Sequence, residues 1–400
     1  MYVGEEMADI FKKNPRNKFK IRMAHIIIII LSVFMLFLAF ALYGFFNSPQ
    51  QEQFYSTAYG ELLEMIETAQ IRNPNRQPQA IDHLDLTFIS IADDFAIHGS
   101  PGILAWSGAD HDAHVSRAEY SFHYGDGFYA FGGMRHETPQ DVFSVELSNG
   151  YSFDINVIVK LFYNYEEVVF RVLGSSEYQT EFIFTIPAFY DVHIPVQLES
   201  QLQVDEFLSS RLSVFVDFMP DLHVGEDQAF LGRITAMALN FEIDYGSTER
   251  EILLPQSGID IFPVENFSGA GFKINQDFEP VGPSVKVPPY LLQVSSGEEI
   301  KLGFITNGNA LLSSEEVESF AVISMLDFQQ INMSGERFLH INTNGDLNTG
   351  EHAVFTITAP DEPGFYEFSS FIVPNPTQPL RSSNFFPLDI AMRFTIEVVE

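Results

Sequence analysis

Residues 25–46 read HIIIIILSVFMLFLAFALYGFF, 22 positions without a single Asp, Glu, Lys or Arg. As a helix rising about 1.5 Å per residue the run reaches about 33 Å, the depth of a bilayer's hydrocarbon core. Only Ser32 and Tyr43 are polar between His25 and Asn47. In lipid every backbone amide must find its partner inside the segment, and a helix does this alone. The expectation is a transmembrane helix over 24–46, with everything after it read as a body tethered to a membrane.

Lys12, Lys13, Arg16, Lys18, Lys20 and Arg22 precede the run, and the first charged residue beyond it is Glu52. Cytoplasmic flanks collect Lys and Arg, so residues 1–23 are expected in the cytoplasm and the bulk of the chain outside. Ala39 and Ala41 bracket Phe40 in the small-x-small pattern of a signal cleavage site. A signal's apolar region is about 7 to 15 residues, however, and this one runs on through Phe46, so we read an uncleaved, single-pass signal-anchor.

Residues 47–400 hold all but six of the 21 basic residues and all but three of the 54 acidic ones, a formal charge of −36. Such a surface repels phosphate backbones and anionic head groups, which excludes nucleic acid as a partner and argues against peripheral docking on lipid. The chain has no Cys. The outer part must therefore bury enough core to stand without disulfides, which domains well above about 80 residues can do and which suits a bacterial cell-envelope protein.

Beyond the span, Phe54, Ala58, Leu62, Met65, Ile66 and Ala69 recur at spacings of three and four among Glu52, Glu61, Glu64 and Glu67. This predicts an amphipathic juxtamembrane helix, which could self-associate. Residues 72–79, RNPNRQPQ, read as its stop and a linker, closing a segment over 47–79.

From residue 80 the period becomes two. Leu212, Val214, Val216 and Phe218 make one face of a strand, and Phe182, Phe184 and Ile186 make another. Turn clusters such as Leu173-Gly174-Ser175-Ser176 punctuate the strands. The fold expected is mainly β: an antiparallel β-sandwich or jelly-roll-like domain over 80–278, then an Ig-like β-sandwich over 285–400, divided by the Pro-rich stretch EPVGPSVKVPP. In the second domain strands are expected at 299–306, 320–326, 337–342, 352–358, 364–373 and 391–399. In the last of them Phe394, Ile396 and Val398 are expected to face in, and Arg393, Thr395 and Glu397 out. The run from Pro360 through Pro363-Gly364 to Tyr366 resembles the turn into a late strand of many bacterial Ig-like modules.

Two stretches have the chemistry of metal ligands. Asp110-His111-Asp112-Ala113-His114 pairs imidazoles with carboxylates, the donors Zn²⁺ takes, and His111, Asp112 and His114 are the candidate ligands. Asn342, Asn344, Asp346 and Glu351, in INTNGDLNTGE, offer oxygens at alternate positions as Ca²⁺ loops do. Neither matches a complete motif: residues three apart on a strand point to opposite faces, and the second run departs from the EF-hand spacing. The default reading is a polar loop in the first case and a hairpin loop in the second, with no cofactor. Leu254-Pro255-Gln256-Ser257-Gly258 resembles a sortase sorting motif, but 142 strand-rich residues follow it where a hydrophobic segment and basic tail belong.

No nucleophile elbow, zinc-protease helix or phosphate loop occurs in the sequence. The function expected is a non-catalytic binding or assembly surface, held at the cell membrane and offered to an envelope protein or a cell-wall component. The alternative is a membrane-anchored glycan or peptide hydrolase, with a metal in its His-rich first domain.

Overall fold

The computed structural model describes residues 73, 76–90, 101–107, 122–124, 128–130, 134–135, 142–151, 153–199, 210–223, 236–244, 257–265, 270–274, 291–306, 319–342, 349–374, 376, 388–389 and 391–400. The apolar run 25–46, the juxtamembrane helix and the Pro-rich stretch 279–289 lie outside these residues. Among the described residues all regular structure is β, and no helix is long and apolar enough to cross a membrane. They belong to one compact unit, Thr68–Glu400.

The described residues of this unit form four sheets and one short ribbon. Sheet I joins β1 (Thr87–Ser90), β11 (Tyr190–Leu198), β6 (Val142–Asn149) and β2 (Pro101–Ser107) in that order, with β9 (Phe170–Val172) also on β11. Sheet II runs β10 (Phe182–Ile186), β7 (Ile155–Tyr163), β12 (Ser210–Phe218), β13 (Ala236–Asp244), β23 (Leu388–Asp389). Two short strands extend it: β8 (Glu166–Glu167) on β7 and β5 (Met134–Arg135) on β13. The ribbon is β3 (Phe122–Tyr124) with β4 (Phe128–Ala130).

Sheet III runs β14 (Asp260–Glu265), β21 (Thr349–Thr358), β17 (Glu299–Thr306), β15 (Ala270–Ile274). Sheet IV runs β16 (Leu291–Ser295), β24 (Ala391–Val399), β22 (Gly364–Pro374), β18 (Ser319–Leu326), β19 (Gln329–Gln330), with β20 (Leu339–Asn342) also on β18. Pairing is antiparallel except for β16 with β24 and β5 with β13. β14 and β15 precede the Pro-rich stretch yet pair with β21 and β17 beyond it, and β23 crosses the other way to join β13.

Alternation built these layers. Ile300, Leu302 and Phe304 of β17 and Phe355 and Ile357 of β21 meet Phe320 and Val322 of β18, Phe368 and Ile372 of β22, and Phe394, Ile396 and Val398 of β24 in one core between sheets III and IV. Val157, Val159 and Leu161 of β7 and Val214 and Val216 of β12 are buried on the other face of sheet II from Ile158, Phe162 and Phe215, and Val145, Leu147, Val192, Ile194 and Val196 of sheet I are equally buried. The turn into β22 is pinned by Tyr366, whose Oη donates to the Glu362 carbonyl at 2.9 Å.

The opposite faces of sheets II and IV are buried too, and against each other. Ile158, Phe162, Ile183 and Phe215 of sheet II form one cluster with Ala321, Ile323, Met325, Phe371 and Val373 of sheet IV. Phe371 meets Phe162 edge-on, ring centroids 5.2 Å apart. Strands covered on both sides lose the apolar-in, polar-out rule. Arg393 and Thr395, expected to face out, are therefore buried at 1% and 0% exposure.

Residues 343–348 lie outside the described residues, but β20 and β21 on either side of them do not pair as a hairpin. β20 pairs with β18 in sheet IV and β21 with β14 and β17 in sheet III, so the chain crosses between sheets there. The described residues of the stretch read as a linker, 73 and 76–79, are bonded to the body. Asn73 N donates to the Asp221 carbonyl at 2.8 Å and Gln79 N to that of Ile183 at 2.8 Å, which ties the segment down at both ends.

Candidate functional site

The densest chemistry among the described residues lies where sheets II and IV meet. β12 brings Asp217, β22 brings Glu367, β24 brings Arg393 and Thr395, and the segment after β12 brings His223. The register sets Glu367 directly opposite Thr395 on neighbouring strands, so both side chains point the same way, toward sheet II.

Arg393 is the hub. Its Nη1 donates to Asp217 Oδ1 at 2.8 Å and its Nε to Glu367 Oε2 at 2.6 Å. The same guanidinium also donates to the carbonyls of Phe218 and Met219, at 3.3 and 3.2 Å, and to that of Leu222. Glu367 Oε1 accepts from Thr395 Oγ1 at 2.6 Å and lies 2.7 Å from His223 Nδ1. One guanidinium thus closes the whole turn 218–222 onto sheet IV.

The electrostatics follow from burial. Asp217 is pushed up to about 7 by loss of solvent, which the attraction of Arg393 only partly offsets and the charge of Glu367 reinforces. Burial acts on Glu367 in the same direction. There Arg393 and His223, with the bond from Thr395, outweigh it and hold the carboxyl below its ordinary value. Arg393 is desolvated as well, but its two carboxylates keep its proton bound more tightly than usual.

A second ionic group adjoins the first. Arg76, from the segment read as a linker, pairs with Glu181 and donates to the Asp327 carbonyl, and its Nη2 lies 3.6 Å from Asp327 Oδ2. Glu181 also lies 3.7 Å from Lys160 Nζ, which pairs with Glu167. Gln330 of β19 then ties the strip together, accepting from Glu167 N at 3.0 Å and donating to the Tyr165 carbonyl at 2.7 Å. Asp327 and Phe328, with φ of 48° and 62°, make the two-residue turn between β18 and β19 that reaches this strip.

Glu146 of β6 is the third perturbed acid. It lies opposite His193 of β11 and is pushed up to about 7 by burial and then by Asp191.

Of the residues expected to hold metal, His111, Asp112, His114, Asn344 and Asp346 lie outside the described residues. Asn342 is exposed at the end of β20, paired with Ser319. Glu351 lies in β21, in the other sheet, between Pro263 and Thr306. Among the described residues no group of three or more His, Asp and Glu side chains could hold a metal ion. Ser257, from the sortase-like run, is buried in the fold: its N donates to the His340 carbonyl at 3.0 Å and its Oγ donates to Glu336.

Asp217, Glu367 and Arg393, at 1% exposure or less, are sealed from any substrate. Their geometry joins layers and holds charge. Sequence reading missed them because each falls on an alternate, nominally outward position. The one available signal was that β18, AVISML, and β12, RLSVFVDF, carry apolar residues on both faces.

No protein-family model and no curated protein matches the chain. Among solved structures it is similar to red sea bream transglutaminase at 10% identity, over 66% of this chain and 30% of that one, with a TM-score of 0.20. It is similar to the CsuC–CsuE chaperone–tip adhesion subunit complex of Acinetobacter baumannii at 11% identity, over 68% and 96% of the two chains, TM-score 0.21. With fibronectin(III)-like modules of Clostridium thermocellum CbhA it shares 9% identity over 67% and 90%, TM-score 0.19. Likeness at this level carries no residue role and no activity across.

Proposed function

We propose that the chain is a single-pass, membrane-anchored extracytoplasmic protein. Its body, two β-sandwiches of which sheets III and IV form the Ig-like one, presents a non-catalytic binding or assembly surface to an envelope protein or a cell-wall component. The observation that carries this reading is the docking of Arg76. It comes from the segment that follows the apolar run and the amphipathic stretch, and its side chain is 9% exposed between Glu181 of one sandwich and Asp327 of the other. A body that holds its own leading segment, Asn73 and residues 76–79, suits display of a surface. The chemistry available in the described part is spent on joining layers, which suits a scaffold better than a catalyst.

The test uses the full chain with a C-terminal tag in intact bacteria. Anchored display predicts that the protein stays with membranes through alkaline carbonate washing and that added protease removes the tag from whole cells. Replacing residues 1–46 with a cleavable signal should release it. A full chain extracted by carbonate, or a tag protected until the cells are opened, would overturn the anchor and the orientation. Cross-linking in the same cells then tests display: a discrete adduct with an envelope protein or peptidoglycan is expected, and none forming at any reactive position would overturn it.

A further inference from the structure

The two carboxylates of the sheet II–IV joint are answered unequally. Two carboxylates, Asp217 and Glu367, share one guanidinium, and all three are buried. Glu367 is answered by Arg393, Thr395 and His223. Asp217 is answered less fully: Oδ1 takes Arg393 Nη1 and the Phe218 amide adds a weaker attraction, while Oδ2 is buried with no hydrogen-bond partner among the described residues. A bare carboxylate oxygen out of water is among the costliest groups a fold can hold, and taking up a proton is its usual relief.

The geometry points to a proton-operated latch: Asp217 holds one exchangeable proton that keeps the joint between sheets II and IV closed, and its loss loosens segment 217–223. The charged groups around Asp217 are few and named. β24 contributes Arg393, β22 contributes Glu367, and the segment after β12 contributes His223. Beyond Phe328 lie Arg76 and Asp327, the latter bonded through its N to the Glu367 carbonyl. On the flanking strands Asp217 pairs with the apolar Ile158 of β7 and with Ala236 of β13. The buried carboxyl's rise to about 7 puts the proton's release in the neutral range.

The latch reaches further than its own five side chains. Arg393 grips the carbonyls of Phe218, Met219 and Leu222. One residue away the Asp221 carbonyl accepts from Asn73 N, and its carboxylate accepts from Asn156 Nδ2 at 3.2 Å. Loosening 217–223 therefore also frees the segment that leads into the body, so the proton on Asp217 governs how firmly that segment is held.

The test is amide hydrogen exchange on the full chain in detergent micelles, corrected for intrinsic exchange, at about pH 6 and about pH 8. Peptides covering 212–223 and 73–79 should lose protection about tenfold between the two, as for a group titrating near 7 when closed and near 4 when open. Peptides from β17 and β21 serve as the unchanged reference. Asp217→Asn, neutral at every pH, should remove the difference. Equal protection of wild-type 212–223 at both pH values, or an Asp217→Asn protein that keeps the full difference, would overturn the latch. If that variant does not fold, infrared spectroscopy of the Glu146→Gln protein, which lacks the other carboxyl raised to about 7, decides. A protonated-carboxyl band that bleaches between the two pH values supports the assignment, and no such band rejects it.

Discussion

Arg76 and Arg393, 317 positions apart in the sequence, both lie over the ring of Phe328, 5.2 and 5.6 Å from its centroid. One arginine comes from the segment leading into the body and the other from its last strand. Phe328 itself is fully buried at the tip of the β18–β19 turn. Ring faces attract guanidinium groups, the more so when both are desolvated. Phe328→Ala should therefore cost about 3–5 kcal/mol for the lost ring, with about 1 kcal/mol more for each arginine left without it. Urea unfolding checks the total, and Phe328→Tyr, which keeps the π face, should recover much of the arginine contribution.

Arg393 makes a sharper case, because removing one partner of a buried ion set leaves the others stranded. Arg393→Met should destabilise by about 3–5 kcal/mol. Replacing the whole set at once, Asp217→Leu with Glu367→Met and Arg393→Met, should cost less than the single change, since no charge is then left in the joint. Chemical denaturation of the two variants side by side makes the comparison, and a triple variant weaker than the single one would mean that the joint is net stabilising.

Much of the fold could be read from period and punctuation. β17 and β24 fall on the residues expected, Glu299–Thr306 and Ala391–Val399, and β22 begins at Gly364 as the Pro-rich turn implied. The face assignments went wrong at Arg393 and Thr395 for a physical reason. Alternation tells which residues share a face, not what covers that face, and here the outward faces of sheets II and IV cover one another. The same ambiguity hid Lys160, Asp217 and Glu367, which look like surface residues until the two faces meet. Arg76 was missed differently: RNPNRQPQ has the composition of a linker, and only its contacts with Glu181 and Asp327 show it docked.

Gly174 is required by space as well as by backbone. Its φ of +91° is one that side chains rarely adopt, and a Cβ placed there would fall 2.7 Å from the His83 carbonyl oxygen and 2.9 Å from Asp85 N. Those atoms are backbone and cannot rotate away. Asp85 N also donates to the Leu173 carbonyl at 2.9 Å, so the approach is part of how residues 83–85 are held. Gly174→Ala should cost about 2 kcal/mol or more. Hydrogen exchange should locate the damage at 82–90 rather than in sheets III and IV.

Glu146 sets the direction of a pH dependence independent of Asp217. Its folded value of about 7 lies above the ordinary 4.5, through burial and then the neighbouring charge of Asp191. The folded protein thus binds this proton more tightly than the unfolded chain does. Its contribution is whole below about pH 4.5, declines as the pH rises toward 7, and is flat beyond. Glu146→Gln carries no charge to bury. It should equal the wild type near pH 4.5 and exceed it by about 1–3 kcal/mol near pH 8. Melting curves of the two proteins across that range read the effect as a gap that opens with rising pH. A gap constant with pH would show that Glu146 ionises as freely in the fold as in water, and that its face of sheet I, opposite the one carrying Val145 and Leu147, tolerates its charge.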